Sequence, residues 1–470
     1  MSSSKRTLSV FMLAMINVAA VSSVRNWPTI AEYGVSSLFF FGLAALLFFI
    51  PVSMVAAELA TGWPKTGGVF EWVKEAFGHR TGFLAVWLLW AENVIYYPTL
   101  LSFIAGTLAY IFSPSLANNA FYTFATVIGI FWLTTLANLL GMRMSGWIST
   151  FGVIGGLIIP GGLIILLGLI WFFSGNPIQL SFTWENLIPD MSSPRELVLF
   201  SGVLVALAGL EMSGVHARDV QNPQRNFPRA ILLSAILIFG LYVLGVLAIA
   251  IVIPQQEINL VAGSIQAFSF FVNAYGLKEL TPVIALMLAI GAFGTLSTWI
   301  AGPSKGLLGA AQSGDLPPFF RRLNRHGMPV SLLISQAVIV TIFSVIFLIM
   351  PTVSAAFWSL NALVGELYLI MYILMFAAAI KLRYKRPDVV RSYKIPGGKF
   401  GIWCVAGLGI VGCFSTFMIG FFPPAQLVVG NTLFYLLFLL LGILLSCTAP
   451  SIILLFKKPN WSHPLSHEKK

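Results

Sequence analysis

The hydrophobic positions of this chain fall into long, nearly unbroken runs near 8–34, 36–59, 81–112, 119–140, 147–174, 197–217, 228–253, 279–312, 329–350, 354–380, 401–421 and 429–456. A helix needs about 20 apolar residues to cross the ~30 Å hydrocarbon core of a bilayer, and each run meets that length. A membrane β-barrel would show ~10-residue stretches of alternating apolar and polar residues instead. The pattern predicts an all-α polytopic membrane protein with twelve transmembrane helices.

Two runs are interrupted at membrane depth. In the first, the small residues Ala19, Ala20, Val21, Ser22 and Ser23 lead into Arg25, Asn26 and Pro28. In the sixth, Ala206, Ala208 and Gly209 precede Glu211. Proline removes a helix donor and glycine weakens a helix. Non-helical backbone at that depth is tolerated only where protein or a wet cavity satisfies it. Paired breaks at corresponding positions of two halves point to a transporter binding site. Spans one to five and six to ten then form two repeats, and because five is odd the second is inverted. The predicted division is 1–174 for the first repeat, 195–380 for the second, 401–456 for two additional spans and 457–470 for a short tail. The glycines of the fifth span (152, 155, 156, 161 and 162) have the small-residue spacing of a close helix contact.

Only 9% of the 470 residues are charged, against roughly a quarter in soluble domains, which excludes a soluble enzyme. The net charge of +11 is no sign of nucleic acid, because the basic residues sit in alternate loops. Lys65, Lys74 and Arg80, then Arg143, then Arg218, Arg225 and Arg229, then Arg321, Arg322 and Arg325, and finally Lys381 through Lys399 all fall between even and odd spans. The opposite loops offer Arg195 and Lys278. By the positive-inside bias both termini face the cytoplasm. The first 24 residues imitate a secretory leader, but their polar interruption and the spans that follow predict a retained first span. Cys404, Cys413 and Cys447 lie in late apolar runs without metal or disulfide spacing.

Ionisable residues deep in a span cost about 2.5–3.5 kcal/mol each on insertion scales, so they default to functional candidates. Arg25, Glu92, Glu211 and Glu366 are such residues. Arg25 is always charged and needs an anion, with Glu92 the first choice of protein partner. Glu92 sits in WAENVIYYP, with Tyr96 one turn on. Glu211, just after the break, is a candidate proton carrier or ligand for a substrate ammonium. Glu92 and Glu366 are further candidate proton carriers. Tyr368 and Tyr372 share a helix face. No GxxxxGK[ST], HExxH or TVGYG segment occurs, and the one GxSxG match, GPSKG at 302–306, falls inside a long apolar run rather than at a strand-to-helix turn. A nucleotide-driven pump, an intramembrane hydrolase and a potassium-type channel therefore lack their chemistry, and no metal or other cofactor is expected.

Residues 48–78, 252–268 (VIPQQEINLVAGSIQAF), 299–336 and 385–399 (KRPDVVRSYKIPGGK) resemble bacterial members of the amino acid–polyamine–organocation superfamily, in particular its glutamate/GABA antiporter branch. The resemblance spans nearly the whole chain. It implies a LeuT-like fold with a 5+5 inverted repeat and two C-terminal helices, and substrate exchange by alternating access. It assigns Glu211 as the sixth-span acid, Tyr368 and Tyr372 as the tenth-span pair and Trp299 as the eighth-span tryptophan, the last three gating. Two positions depart: Arg25 stands where the family has a tyrosine, and Thr295 where it has a glutamate. That change of cavity charge points to an amino acid other than glutamate or GABA. The acid-resistance members carry a long C-terminal plug, and the stretch KKPNWSHPLSHEKK is too short for one.

The sequence therefore predicts a bacterial inner-membrane secondary transporter for amino acids, a monomer or homodimer and not an enzyme, most simply an exchanger. A proton-coupled symporter and a nutrient-sensing receptor on a transporter fold are the alternatives. The substrate carboxylate would meet backbone N–H groups near Ala20 to Ser23 and its ammonium the carbonyls near Ala206 to Gly209. Arg25, Glu92 and Thr295 would tune the side-chain pocket.

Overall fold

The computed structural model describes residues 9–64, 68–140, 154–189, 194–211, 220–425 and 427–462. Every regular element among them is helical, apart from one isolated bridge between Leu323 and Pro329. Nine helices among the described residues are long and apolar enough to cross a membrane: Gly34–Gly62, His79–Phe112, Ala120–Leu139, Arg225–Ala250, Lys278–Leu296, Val330–Ile349, Val353–Lys385, Gly398–Gly420 and Thr432–Leu455. They fall on the second, third, fourth and seventh to twelfth apolar runs. The fifth run contributes the shorter Ile159–Phe173, and the first and sixth are the interrupted ones. Asparagine marks two of the helix starts. Asn119 accepts from the Tyr122 N–H at 2.9 Å and Asn431 from the Leu433 N–H at 2.9 Å, each satisfying a donor that the first turn leaves open.

Burial differs sharply among the spans. The most apolar window of Val353–Lys385 is 78% buried inside the protein, that of Thr432–Leu455 only 11%. A helix that apolar and that uncovered requires lipid as its solvent, whereas the tenth span is an interior element.

The chain forms two compact units, each assembled from separated segments. One comprises Met1–Ala85, Leu163–Ile258 and Tyr368–Gln426, the other Val86–Gly162, Asn259–Leu367 and Leu427–Lys470. In the first unit, Val10–Val21 packs along Pro223–Ala250, where Asn17 Nδ2 donates to Ser234 Oγ at 3.0 Å. Glycines set the closest contacts. A Cβ on Gly245 would stand 2.5 Å from the Trp27 ring, and one on Gly412 would stand 2.7 Å from the Leu47 carbonyl oxygen.

A buried ion cluster closes one end of this unit. Glu58, 2% exposed, accepts from Arg383 Nε at 2.9 Å, from Arg383 Nη2, and from the Ile395 N–H at 2.9 Å. Arg391 Nε lies 3.4 Å from the same carboxylate, while its Nη2 donates to the Leu382 carbonyl at 2.9 Å. The segment 385–399, a family signature at the sequence level, is thereby folded down onto the second span.

In the second unit, Gly156 and Gly291 touch backbone to backbone: a Cβ on Gly156 would lie 1.9 Å from Gly291 Cα. The small-residue expectation for the fifth span holds at Gly156. It does not extend to Gly155 and Gly162, which face open space, and Gly152 lies outside the described residues. Gly156→Ala should destabilise the protein by about 1–3 kcal/mol in an SDS unfolding titration. Gly155→Ala should stay within about 0.5 kcal/mol. Equal effects at both positions would refute the close contact. Just past the last span, Lys457 Nζ donates to the fully buried Asp315 at 2.9 Å, tying the chain to the loop after the eighth span. Among the described residues Cys404, Cys413 and Cys447 are free thiols, Cys413 buried.

Candidate functional site

The first span breaks where its sequence turns small and polar. The helix Val10–Val21 ends at Ser22, whose backbone is extended (φ −74°, ψ 127°), and Ser23 continues extended (φ −144°, ψ 121°). A 3-10 turn, Val24–Asn26, and a short helix, Trp27–Ala31, resume beyond, with Pro28 in a first turn that needs no N–H from it. The Ser22 N–H donates to the Val18 carbonyl at 2.8 Å and Ala20 and Val21 lie inside the helix, so the expected run of open donors narrows to Ser23. The Ser22 hydroxyl, 5% exposed, has no hydrogen-bond partner among the described residues.

Tyr242 holds the break open. Its hydroxyl donates to the Val21 carbonyl at 3.1 Å and accepts from Asn26 Nδ2 at 3.2 Å, bridging the two sides of the interruption from the seventh span. Sequence reasoning did not single it out. The signal was available only as one tyrosine inside an otherwise aliphatic run, FGLYVLGV, which reads as packing.

The sixth span breaks in the same unit. Phe200–Ala206 ends at Leu207, and Gly209 adopts φ +116°, a conformation L side chains rarely take. Glu211 follows at 1% exposure. Its two carboxylate oxygens are taken by two phenols of the tenth span: Tyr368 donates to Oε1 at 2.7 Å and Tyr372 to Oε2 at 2.5 Å. The rings stack at 4.9 Å, as their one-turn spacing predicts. The Gly209 N–H completes the group, 2.9 Å from the Tyr372 oxygen and 3.2 Å from Glu211 Oε2. A residue with a Cβ would resist the φ at Gly209, so the glycine allows that N–H to turn toward the carboxylate. Chemically this is a buried acceptor held in place by three donors, able to take a cationic donor in exchange for one of them.

The remaining candidates divide between the units. Arg25 is in the first, 2% exposed, within the turn that follows the break. Ala206 and Ala208 are buried beside Gly209, and Ala19 lies in the last turn of the helix before the break. Glu92, Tyr96, Thr295, Trp299 and Glu366 belong to the second unit. There Glu92, 3% exposed, accepts from Asn93 Nδ2 at 2.5 Å. The Trp299 carbonyl accepts from the Tyr97 hydroxyl at 2.8 Å, and Thr295 Oγ1 donates to its own helix at the Gly291 carbonyl. Glu366 is 1% exposed and its Oε2 has no hydrogen-bond partner among the described residues. No group of three or more His, Cys, Asp or Glu converges on a metal-sized space among the described residues.

A multi-pass helical protein with two broken spans and a buried carboxylate at one break is a membrane transporter in class. The amino acid permease family model matches residues 7–444, and the chain belongs to that family, within the amino acid–polyamine–organocation superfamily. It is 45% identical to an uncharacterized transporter of Legionella pneumophila over 452 residues, covering 96% of this chain and 97% of the relative. It is 34% identical to a glutamate/gamma-aminobutyrate antiporter of Lactococcus lactis over 459 residues (96% and 90%). A probable agmatine/putrescine antiporter of the same species is 25% identical over 400 residues, 84% of each chain.

Proposed function

We propose that the protein is an amino acid exchanger working by alternating access, built on twelve spans with a 5+5 inverted repeat divided as 1–174 and 195–380. Both termini lie on the cytoplasmic side of a bacterial inner membrane. The observation that carries this reading is the Glu211 group: a buried carboxylate, oriented by Tyr368, Tyr372 and the Gly209 N–H, at a helix break. The substrate ammonium binds Glu211 and the neighbouring carbonyls of the sixth-span break. The Ser22 hydroxyl and Ser23 N–H receive its carboxylate, and Arg25 biases the site toward a side chain with negative or polar character. Movement of the stacked tyrosines on and off Glu211 gates the site, because an arriving ammonium competes with the phenols for the same oxygens. Glu92, Tyr96, Thr295 and Trp299 remain candidates on the sequence reading.

The first experiment is a thermal-shift screen of the purified protein against all amino acids and their decarboxylation products, since a ligand that binds only the folded state raises its apparent stability. The ligands found are then loaded inside proteoliposomes. Exchange is expected to need a counter-substrate, with uptake into empty vesicles near background. A proton-coupled symporter is the second reading, favoured by Glu366 Oε2, which has no hydrogen-bond partner among the described residues. It predicts uptake into empty vesicles driven by a pH gradient alone, and loss of that uptake in Glu366→Gln.

A further inference from the structure

The third and eighth spans each carry a proline where a helix ordinarily donates. Pro98 lies inside His79–Phe112, and Pro303 lies inside Thr281–Gln312. In an α-helix the N–H of each residue closes on the carbonyl four positions earlier. Pro303 therefore withholds the donor that the Trp299 carbonyl would receive, as Pro98 does for Val94. A carbonyl left open inside an apolar helix is costly unless another donor reaches it.

For Trp299 that donor comes from the third span. The Tyr97 hydroxyl donates to the Trp299 carbonyl at 2.8 Å, across 202 positions of chain. Tyr97 is fully buried, and its ring packs on the Phe131 ring of the fourth span with centroids 5.3 Å apart. The phenol is thus clamped at its ring and committed at its oxygen. Nearby carbonyls of the eighth span are served from within their own helix. Thr295 Oγ1 donates to the Gly291 carbonyl at 3.2 Å, and Ser304 Oγ to the Ile300 carbonyl at 2.8 Å. Trp299 differs from them in having a proline where its amide donor would stand. All of these residues belong to the second unit.

We propose that Tyr97 is a positioning residue of the transport site: its hydroxyl replaces the amide that Pro303 lacks, and so fixes the stretch of the eighth span that carries Thr295 and Trp299. The proline frees the carbonyl for a partner outside the helix, and the tyrosine keeps that carbonyl from being stranded. The pair acts as one joint between two spans. An amide restored at position 303 makes the hydroxyl dispensable. The proposal rests on the transport reading, which takes Thr295 for the pocket and Trp299 for its gate, but the joint itself is measured without any substrate.

Two measurements on the full-length chain separate the joint from its consequence. The first is hydrogen–deuterium exchange in lipid nanodiscs, read in peptides covering 291–303. Tyr97→Phe keeps the ring against Phe131 and removes only the hydroxyl. Exchange in those peptides is expected to quicken about tenfold, with peptides of the twelfth span unchanged. Adding Pro303→Ala returns a backbone donor to Trp299, and should bring exchange back to within about twofold of Pro303→Ala alone. The second is uptake of a radiolabelled mixture of the protein amino acids into proteoliposomes loaded with the same mixture unlabelled. Tyr97→Phe is expected to raise the half-saturating concentration about tenfold and to leave the maximal rate within about threefold, with recovery in the double variant. Parent-like deuterium exchange in Tyr97→Phe, or no rescue by Pro303→Ala, would overturn the joint. Quickened and rescued exchange with an unchanged half-saturating concentration would overturn the positioning role. Parent vesicles that take up none of the mixture would sink the transport reading and the positioning role with it, while the deuterium pattern still decides the joint.

Discussion

Glu211→Gln is expected to lower amino acid exchange in proteoliposomes by about 30–100-fold, a loss of about 2–3 kcal/mol, while leaving the protein folded. The reason lies in what the carboxylate does in the empty site. Three donors converge on this group: the two phenols and the Gly209 N–H. A glutamine keeps one acceptor oxygen, so one phenol stays satisfied, but its NH2 turns a donor toward the other hydroxyl. The negative charge that would meet a substrate ammonium is gone in either orientation. Tyr372→Phe separates orientation from charge. It keeps the carboxylate and the ring stack but removes the hydroxyl that donates to Oε2 and accepts from the Gly209 N–H. That loss is expected to cost about tenfold, in line with about 1.5 kcal/mol for a hydrogen bond to a charged group. Wild-type exchange in Glu211→Gln would remove the carboxylate from the mechanism, and equal losses in both variants would make orientation rather than charge its contribution.

The second large effect concerns stability. Glu58→Ala is expected to cost about 3–5 kcal/mol, because removing one member of a buried ion cluster leaves the others charged and uncompensated. Arg383 and Arg391 have side chains only 9% and 1% exposed, and both point at this carboxylate. The Ile395 N–H loses its acceptor in the same substitution, which releases the 385–399 segment from the second span. Glu58→Asp should recover part of the loss, since the charge remains and only reach is shortened. Replacing Glu58, Arg383 and Arg391 together by apolar residues should cost less than Glu58→Ala alone, as no charge is then stranded. SDS unfolding titrations of the purified variants read all three. A Glu58→Ala protein within about 1 kcal/mol of the parent would show that water reaches the arginines.

The two Glu211 tyrosines illustrate how far a sequence can be read. Their four-residue spacing places them on one face of a helix whatever the helix packs against, so the stacked pair was legible. So was the break in the first span, because Ser22, Ser23 and the following Asn26 and Pro28 weaken the helix by local chemistry alone. Tyr242 was not legible, since its function is to bridge Val21 and Asn26 across more than 200 positions of chain. The Glu58 cluster was also hidden. Glu58 lies near the end of an apolar run, where an acid commonly reaches water, and only the fold brings Arg383, Arg391 and the Ile395 N–H onto it. The glycine stripe of the fifth span was half right: spacing marks several glycines as equivalent, but Gly156 meets a partner backbone while Gly155 and Gly162 do not.

The sequence by itself determined that this chain lives in a bilayer, where its helices lie and where two of them fail. Those properties follow from local hydrophobicity and backbone preference, which act over one or two helical turns. Tertiary structure alone decided which charges are partnered and which glycine is a contact. Such pairings depend on desolvation and on donor–acceptor geometry between segments hundreds of residues apart, and no local pattern encodes them.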